Sequence, residues 1–172
     1  MATLQRITPF LWFDQQAEEA AKFYVSIFPG SRIVKTTHYP NAGQDIHHMR
    51  AGSVMTVLFE LDGVEFTAIN AGPVFKFNEA VSFVVNCDSQ AEVDRYWEKL
   101  GAGGDPKAQQ CGWLKDRYGL SWQVVPRKIL DYFEPADAPA AARAFTAMMT
   151  MKKLDLDAVR RAYEGVKAKS TA

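Results

Sequence analysis

Apolar residues follow a strand period and then a helix period, and this succession occurs twice along the chain. Strand-like apolar segments at residues 7–13 and 81–87 each precede an amphipathic helix pattern. Apolar residues spaced i, i+3, i+4 mark one buried helix face. The two patterns place them at Ala17, Ala20, Ala21, Tyr24, Ile27 and Phe28, and at Val93, Tyr96, Trp97 and Leu100. Each half of this region is therefore predicted to begin with a strand and a helix.

The same short polar motif introduces both predicted helices. Residues 14–18 read Asp-Gln-Gln-Ala-Glu, residues 88–92 read Asp-Ser-Gln-Ala-Glu, and the two copies lie 74 positions apart. Asp14 and Ser89 are the predicted N-caps, and Ser89 with Glu92 forms the pattern of a capping box. An internal repeat of this kind indicates two copies of one structural module.

Further strand patterns follow each helix. In the first half, the last two strands flank Asp62-Gly63, a strong short signal of a β-hairpin. In the second half, the last two strands flank a turn that ends at Gly119, and a weaker strand is predicted near residues 107–110. The other predicted strands are residues 31–38, 54–61, 64–69, 113–115 and 120–125. Each half thus has the predicted order β-α-β-β-β, and the polar segment 39–52 is a predicted loop.

The composition changes after Pro126, where Ala, Lys, Arg and Met dominate and strand patterns end. Helices are predicted at residues 128–133, 138–149 and 157–167, with Asp155 as a cap. Their apolar residues need a surface to pack on: Phe145, Met148, Met149, Leu154, Leu156, Val159 and Tyr163. The predicted organisation is one domain at 1–127, with modules at about 1–75 and 76–127, and a C-terminal helical extension at 128–172.

Charge and composition exclude several classes of protein. Of the 172 residues, 20 are Lys or Arg and 20 are Asp or Glu, so the formal net charge is zero. Nucleic-acid binders carry a clustered basic excess, and no such partner is expected. No apolar run reaches the roughly 18 residues of a membrane span, and the first residues lack the apolar core of a signal peptide. Two cysteines cannot form a disulfide scaffold. We expect a cytoplasmic protein with no membrane partner.

Five stretches of the sequence are distinctive: Thr-Pro-Phe-Leu-Trp-Phe-Asp at 8–14, Phe-Tyr at 23–24, Phe-Pro-Gly-Ser at 28–31, Cys-Gly-Trp-Leu-Lys-Asp-Arg-Tyr-Gly-Leu-Ser-Trp-Gln at 111–123 and Ala-Met-Met-Thr-Met at 147–151. They resemble the PhnB-like branch, often called 3-demethylubiquinone methyltransferase-like, of the vicinal oxygen chelate superfamily. That superfamily includes glyoxalase I, bleomycin-resistance proteins and extradiol dioxygenases. The resemblance implies an α+β fold in which two tandem βαβββ modules form an incomplete β-barrel cup. Members of the superfamily usually bind their ligand in that cup, and many are dimers.

The methyltransferase label of this branch gains no support from the residues. S-adenosylmethionine enzymes with a Rossmann-like unit carry a glycine-rich loop after the first strand. The one glycine-rich stretch, residues 101–104, follows a predicted helix instead, so it is interpreted as a helix stop and a turn. No cofactor is therefore expected.

The superfamily's metal enzymes take one ligand from the first strand and one from the last strand of each module. The repeat and the hairpin glycines place these positions at Thr8, Thr67, Ser82 and Gln123. Hydroxyl groups are poor ligands for zinc, nickel or iron, which favour imidazole, thiolate or carboxylate. We therefore expect no metal, and the sequence identifies no catalytic residue.

Alternation along the predicted strands suggests what surrounds these positions. If Thr8 faces the implied cup, so do Phe10 and Trp12, and the hairpin adds Thr56. The predicted ligand-binding residues are Thr8, Phe10, Trp12, Thr56, Thr67, Ser82 and Gln123. Aromatic rings with neutral hydrogen-bonding groups suit a small, uncharged or aromatic ligand. The alternative interpretation is that these side chains only fill the barrel.

Other candidate sites are weaker. The three histidines, His38, His47 and His48, lie close together in sequence and could bind a metal, but adjacent histidines rarely bind one ion well without a third partner. Glu60 and Glu65 face each other across the predicted hairpin tip, where carboxylates are usually solvated. Cys111 could be a nucleophile, but counting residues places it with Trp113 on the helix side, where both would be core.

Three functions remain open at this level. The first is a small-molecule binding protein without a catalytic metal, such as a sequestering or sensing protein. The second is an enzyme of the superfamily, a lyase, a dioxygenase or the methyltransferase of the label, acting on a small aromatic or apolar substrate. The third is an interaction module that uses the helical extension. We expect a homodimer, with the extension contributing to its interface.

Overall fold

The computed structural model describes residues 5–133 and 137–166, and the chain divides into two compact units between Lys76 and Phe77. No helix among the described residues is long and apolar enough to cross a membrane. The first unit contains strands β1 to β4 and helices α1 and α2. In chain order these are β1 (Phe10–Phe13), α1 (Ala17–Ile27), β2 (Arg32–His38), α2 (Gln44–His47), β3 (Val54–Leu61) and β4 (Val64–Asn70).

The first unit forms a mixed sheet with the strand order β1-β4-β3-β2. Strand β1 is parallel to β4, and the other two pairings are antiparallel. The predicted hairpin is confirmed, because Asp62 and Gly63 connect β3 to β4 with φ angles of 47° and 81°. Two consecutive positive φ angles are what a tight type I′ turn requires, and Asp-Gly tolerates them. The predicted loop 39–52 contains the short helix α2.

Helix α1 covers one face of this sheet, and the apolar pattern of the sequence explains which face. Its buried residues are Ala17, Ala20, Ala21, Tyr24 and Ile27. On the sheet, buried side chains alternate with less buried ones. The buried side chains are Leu11, Phe13, Val57, Phe59, Leu61, Phe66 and Ala68. The rings of Tyr24 and Phe59 stack with centroids 6.2 Å apart. The core of the first unit therefore lies between α1 and the sheet.

The start of helix α1 differs from the prediction. The N-cap is Gln16 rather than Asp14, and no side chain of the cap residue closes the helix. Instead the Asn70 side chain, at the end of β4, accepts a hydrogen bond from the Ala17 amide at 2.8 Å. Its Nδ2 donates to the Val54 carbonyl at 3.1 Å. A tertiary contact thus replaces the local cap, and counting along the chain could not reveal it.

The second unit repeats the arrangement with a smaller sheet. Its elements are β5 (Phe83–Cys87), α3 (Gln90–Gly101), a 3₁₀ helix (Pro106–Ala108), β6 (Trp113–Lys115), β7 (Ser121–Pro126), a 3₁₀ helix (Arg127–Phe133), α4 (Ala138–Met149) and α5 (Leu156–Tyr163). The strand order is β5-β7-β6, with β5 parallel to β7. The capping box is confirmed, since Ser89 Oγ accepts from the Glu92 amide and Glu92 accepts from the Asp88 amide.

The weak strand predicted near residues 107–110 is wrong. Asp105 Oδ1 accepts a hydrogen bond from the Lys107 amide at 2.9 Å, and Pro106 starts a 3₁₀ turn there. Among the described residues, this segment contributes one isolated bridge, between Gln110 and Trp113. The fold class itself is confirmed: the protein is α+β, with two open mixed sheets followed by helices.

The helical extension packs within the second unit. Its core consists of Ile129, Ala144, Leu154 and Val159. The Cys111 and Gly112 amides donate to the Met151 and Lys152 carbonyls at 2.8 and 2.7 Å, which ties the α4–α5 connection to the start of β6. Of the apolar residues noted in the sequence, Phe145 and Met149 stay 51% and 44% exposed. Their part in a homodimer stays a prediction.

Candidate functional site

In the first unit, the sheet face that is turned away from α1 carries the residues predicted to bind a ligand. We call it the first distal face, and it comprises Phe10, Trp12, Thr56, Leu58, Thr67 and Ile69. Strand register places Phe10 and Leu58 beside Thr67, and Trp12 and Thr56 beside Ile69. Paired residues share a face of the sheet, so the predicted alternation is confirmed for these strands.

Two aromatic side chains give the first distal face its character. Phe10 is 60% exposed. The Trp12 indole donates from Nε1 to the Gly72 carbonyl at 2.9 Å. The same ring meets Phe75 edge to face, with centroids 4.9 Å apart. Because its polar atom is fixed by backbone, Trp12 presents a rigid apolar ring.

The polar groups of the first distal face are mostly neutral hydroxyls, but Lys35, which pairs with Leu58, also lies on this face, at its β2 edge. The Thr37 and Thr56 hydroxyls share a hydrogen bond of 2.6 Å across β2 and β3. Thr67 is half-buried, and its amide donates to the Pro9 carbonyl at 3.0 Å. Thr8 is half-buried and lies just before β1. Further charged residues lie at the hairpin end, where Glu60 pairs with Arg32 at 2.7 Å.

The corresponding face of the second unit brings two predicted residues into contact. We call it the second distal face; its residues are Val84, Asn86, Trp113, Lys115, Ser121, Gln123 and Val125. Gln123 Nε2 donates to Ser82 Oγ at 2.9 Å. Ser82 directly precedes β5, and Val84 pairs with Gln123. An amide and a hydroxyl thus form a fixed neutral pair at this edge of the face.

Strand register makes Thr67 and Gln123 equivalent positions of the two units. Phe10 pairs with Thr67 in the first sheet, and Val84 pairs with Gln123 in the second. Phe10 and Val84 are separated by the same 74 positions as the sequence repeat. The counting that assigned these positions therefore agrees with the geometry of both sheets.

Trp113 was missed by the sequence analysis. It pairs with Gln123 in the antiparallel β6–β7 ladder, whereas Leu114, 1% exposed, pairs with the buried Trp122. Trp113 therefore lies on the second distal face and not on the helix side. Counting from Cys111 failed because Cys111 and Gly112 have φ angles of 49° and 83°, which interrupt the alternation. Counting residues from the β6–β7 turn would have placed Trp113 on the same face as Gln123.

Of the rival candidates, His47 and His48 lie between β2 and β3, whereas Glu60 and Glu65 lie at the hairpin end of the first distal face. His47 Nε2 lies 3.1 Å from the Ala42 carbonyl oxygen, and its ring lies 4.7 Å from that of Tyr39. The described residues contain no group of three His, Cys, Asp or Glu side chains that could hold a metal ion. Glu60 and Glu65 do pair across the hairpin. Glu60 is bound to Arg32, so one of the two carboxylates already has a cationic partner.

A surface depression of about 540 Å³ lies beside the start of α1 in the first unit. It is lined by side chains of both charge signs, among them Glu18, His48 and Arg50. His48 and Arg50 are exposed. This depression is on the helix side of the sheet, opposite the first distal face.

The two cysteines have different environments. Cys87 is 1% exposed, and burial, with a smaller contribution from the Glu92 charge, raises the pKa of its thiol to about 11. Cys111 is partly exposed, and its Sγ donates to the Met148 carbonyl at 3.4 Å. Cys87 is thus an inert core residue, as buried thiols usually are.

We expect one fast-reacting thiol per folded chain in titration with Ellman's reagent at pH 8. The pKa of Cys87 lies about three units above this pH, so roughly one Cys87 side chain in a thousand is a thiolate. Cys111→Ser should abolish the fast phase, and urea should expose the second thiol. Two fast thiols in the folded chain would contradict the burial of Cys87.

Comparison with known proteins decides the family. The family model described as 3-demethylubiquinone-9 3-methyltransferase matches residues 5–125. The structure of a PhnB protein from Bacillus cereus is 36% identical, covers 71% of this chain and 99% of its own, and superposes with a TM-score of 0.60. The chain belongs to this PhnB-like family. Its family lies within the vicinal oxygen chelate superfamily.

A more distant structure supports the fold alone. A protein from Pseudomonas aeruginosa is 23% identical and covers 71% of this chain and 96% of its own, with a TM-score of 0.53. No curated protein matches the chain at a significant level. The PhnB-like family is therefore the level at which the chain is identified.

The family implies two bound groups, a transition metal and S-adenosylmethionine, and neither fits the residues present. At the superfamily's metal positions the chain has three hydroxyls and one amide, Thr8, Thr67, Ser82 and Gln123, and Gln123 already donates to Ser82. Hydroxyl and amide oxygens are poor ligands for a transition metal. For S-adenosylmethionine, the β1–α1 turn of residues 14–16 lacks glycine, and both sheets are mixed rather than parallel. We therefore derive no step through either group.

Proposed function

We propose that this PhnB-like protein binds a small, uncharged molecule with aromatic character, without a catalytic metal. The observation that carries the proposal is the chemistry of the distal faces. Phe10, Trp12 and Trp113 offer rings, and the family's metal positions hold only neutral hydroxyl and amide groups. Ligand sites of proteins combine an apolar lining with a few neutral polar groups in this way.

The first distal face offers two aromatic side chains for contact with a ligand. Burial of an exposed ring such as Phe10 against a ligand is favourable by roughly 25 cal/mol per Å² of apolar surface. Trp12 is held by Gly72 and Phe75, so little ordering of its ring is needed when a ligand binds. A pre-organised aromatic surface favours planar ligands, whose faces it can match.

The neutrality of the polar groups argues for an uncharged ligand. A charged ligand group removed from water needs a charged partner or several strong hydrogen bonds. At the predicted ligand positions, Thr67 in the first unit and the Ser82–Gln123 pair in the second unit are neutral groups. Lys35 lies apart from Thr67, at the β2 edge of the first sheet. The charged Glu60–Arg32 pair is at the hairpin tip, at the far end of the first sheet from Trp12.

Removing Trp12 should abolish most of the binding of a neutral planar probe. We expect 2-naphthol to bind the protein in equilibrium dialysis. Trp12→Ala should lower the affinity for 2-naphthol about tenfold or more, because burial of the indole against the ligand contributes about 1.5–3 kcal/mol to binding. The circular dichroism spectrum should be unchanged, because Trp12 is only half-buried.

Trp97→Ala is the matched control, because Trp97 is a partly buried tryptophan on helix α3, away from the distal faces. It should leave 2-naphthol binding unchanged. The proposal fails if the wild-type protein does not bind 2-naphthol, or if both variants lose binding equally.

A further inference from the structure

The depression beside the start of helix α1 is lined by an arginine whose charge is not matched within the described part of the chain. Arg50 is exposed there, and its guanidinium has no hydrogen bond and no carboxylate partner among the described residues. By contrast, Arg32, Arg127 and Arg160 each pair with a carboxylate. A planar guanidinium is suited to bind carboxylate groups through two parallel hydrogen bonds, so Arg50 is available to an anionic ligand.

The backbone that carries Arg50 is held in place by hydrogen bonds. The Arg50 carbonyl accepts from the Ser53 amide at 3.1 Å and from the Ser53 hydroxyl at 2.6 Å. The Gly52 amide donates to the Tyr39 carbonyl, and the Tyr39 amide donates to the Ser53 carbonyl, both at 2.9 Å. Little ordering of this backbone is therefore needed when a ligand binds, which favours affinity.

A buried amide adds a hydrogen-bond donor to the same depression. Asn70 is 5% exposed and lines it. Its Oδ1 accepts from the Ala17 amide at 2.8 Å, and its Nδ2 donates to the Val54 carbonyl at 3.1 Å. A side-chain amide nitrogen carries two hydrogens, and the second one has no acceptor among residues 5–133 and 137–166. A buried donor of this kind gains a partner when an acceptor binds.

The charges around the depression favour a ligand with a single negative charge. Glu18 also lines it, but the Glu18 carboxylate lies 2.9 Å from the Lys22 ammonium, so this pair is neutral as a whole. With His48 neutral, Arg50 leaves one net positive charge. The Glu18 carboxylate repels a doubly charged phosphate more strongly than a singly charged carboxylate.

We infer that this depression is a second binding site, which takes a small organic carboxylate with a short apolar chain. The carboxylate accepts hydrogen bonds from the Arg50 guanidinium and from Asn70 Nδ2, and Met49 and Val54, both partly buried, line the space for the chain. A volume of about 540 Å³ accommodates such a molecule. The lining residues do not include those of the first distal face, so the inference is independent of the proposed function.

Titration with isovalerate, followed in amide NMR spectra of the full-length protein, tests this site. We expect saturable shifts of the Asn70 side-chain amide and the Arg50 backbone amide. Isovaleramide, which has the same shape without the charge, should not cause them. Arg50→Gln should lower the affinity for isovalerate about tenfold or more, because it removes hydrogen bonds to a charged group.

Arg32→Gln is the matched control, because it removes the same charge from the same unit, and Arg32 is bound to Glu60 at the hairpin end. It should leave the affinity for isovalerate unchanged. Equal losses in the two variants would indicate a general effect of net charge and would overturn the inference. Equal shifts with isovalerate and isovaleramide, or no shifts with isovalerate, would also overturn it. Since Arg50 is not part of the first distal face, none of these results affects the proposed binding of 2-naphthol.

Discussion

Replacing Asp116 with alanine should destabilise the protein by about 3–5 kcal/mol, a large effect for one side chain. Asp116 is 2% exposed. Its Oδ1 accepts hydrogen bonds from the Tyr118 and Leu120 amides at 2.8 and 3.0 Å, and its Oδ2 accepts from the Trp122 indole at 2.9 Å. The variant removes a carboxylate that three donors share, and two of these hydrogen bonds are buried, which makes the loss more costly than that of exposed bonds.

Urea unfolding monitored by circular dichroism measures this effect. Asp105→Ala is the matched control, because Asp105 is an exposed aspartate that accepts from the Lys107 amide. Its loss should cost about 1 kcal/mol, the usual contribution of such a cap. Equal unfolding midpoints for the two variants would contradict the structural role assigned to Asp116.

Gly104→Ala is the second variant with a large expected effect. A Cβ atom at Gly104 would lie 2.0 Å from the Lys115 carbonyl oxygen, and 3.2 Å from the Asp116 carbonyl carbon. These are backbone atoms of the β6–β7 connection, so no side chain can rotate to relieve the contact. The backbone must shift, and we expect a loss of about 3 kcal/mol in the free energy of unfolding.

Gly101→Ala, three residues earlier, provides the control for Gly104. At Gly101 the closest atoms to an added Cβ are Gln109 Nε2 and Leu114 Cδ2, at 3.8 and 3.9 Å. Gly101 is the last residue of helix α3, so alanine should raise stability by about 0.5 kcal/mol. Two glycine variants with similar losses would show that the approach of Gly104 to Lys115 is not tight.

Local patterns of the sequence predicted most of the fold correctly. The Asp62-Gly63 hairpin, the Ser89 cap and the α5 cap at Asp155 each depend on residues within four positions of one another. Their geometry is decided by turn and capping preferences that hold with little tertiary context. The 74-residue repeat then related the two units without an alignment.

The errors arose where distant residues decide the structure. Asn70 caps α1 from 53 positions away, so Asp14 could not be excluded locally. Trp113 was assigned to the wrong face because two positive φ angles precede it, at Cys111 and Gly112.

Native mass spectrometry of the untagged, full-length protein, purified under mild conditions, tests the central claim most directly. We predict a non-covalent organic adduct that is lost on mild activation and weakened in Trp12→Ala, with no stoichiometric transition metal in the same spectrum. A transition metal at one ion per chain, with occupancy that falls in Thr67→Ala and Gln123→Ala, would contradict the account.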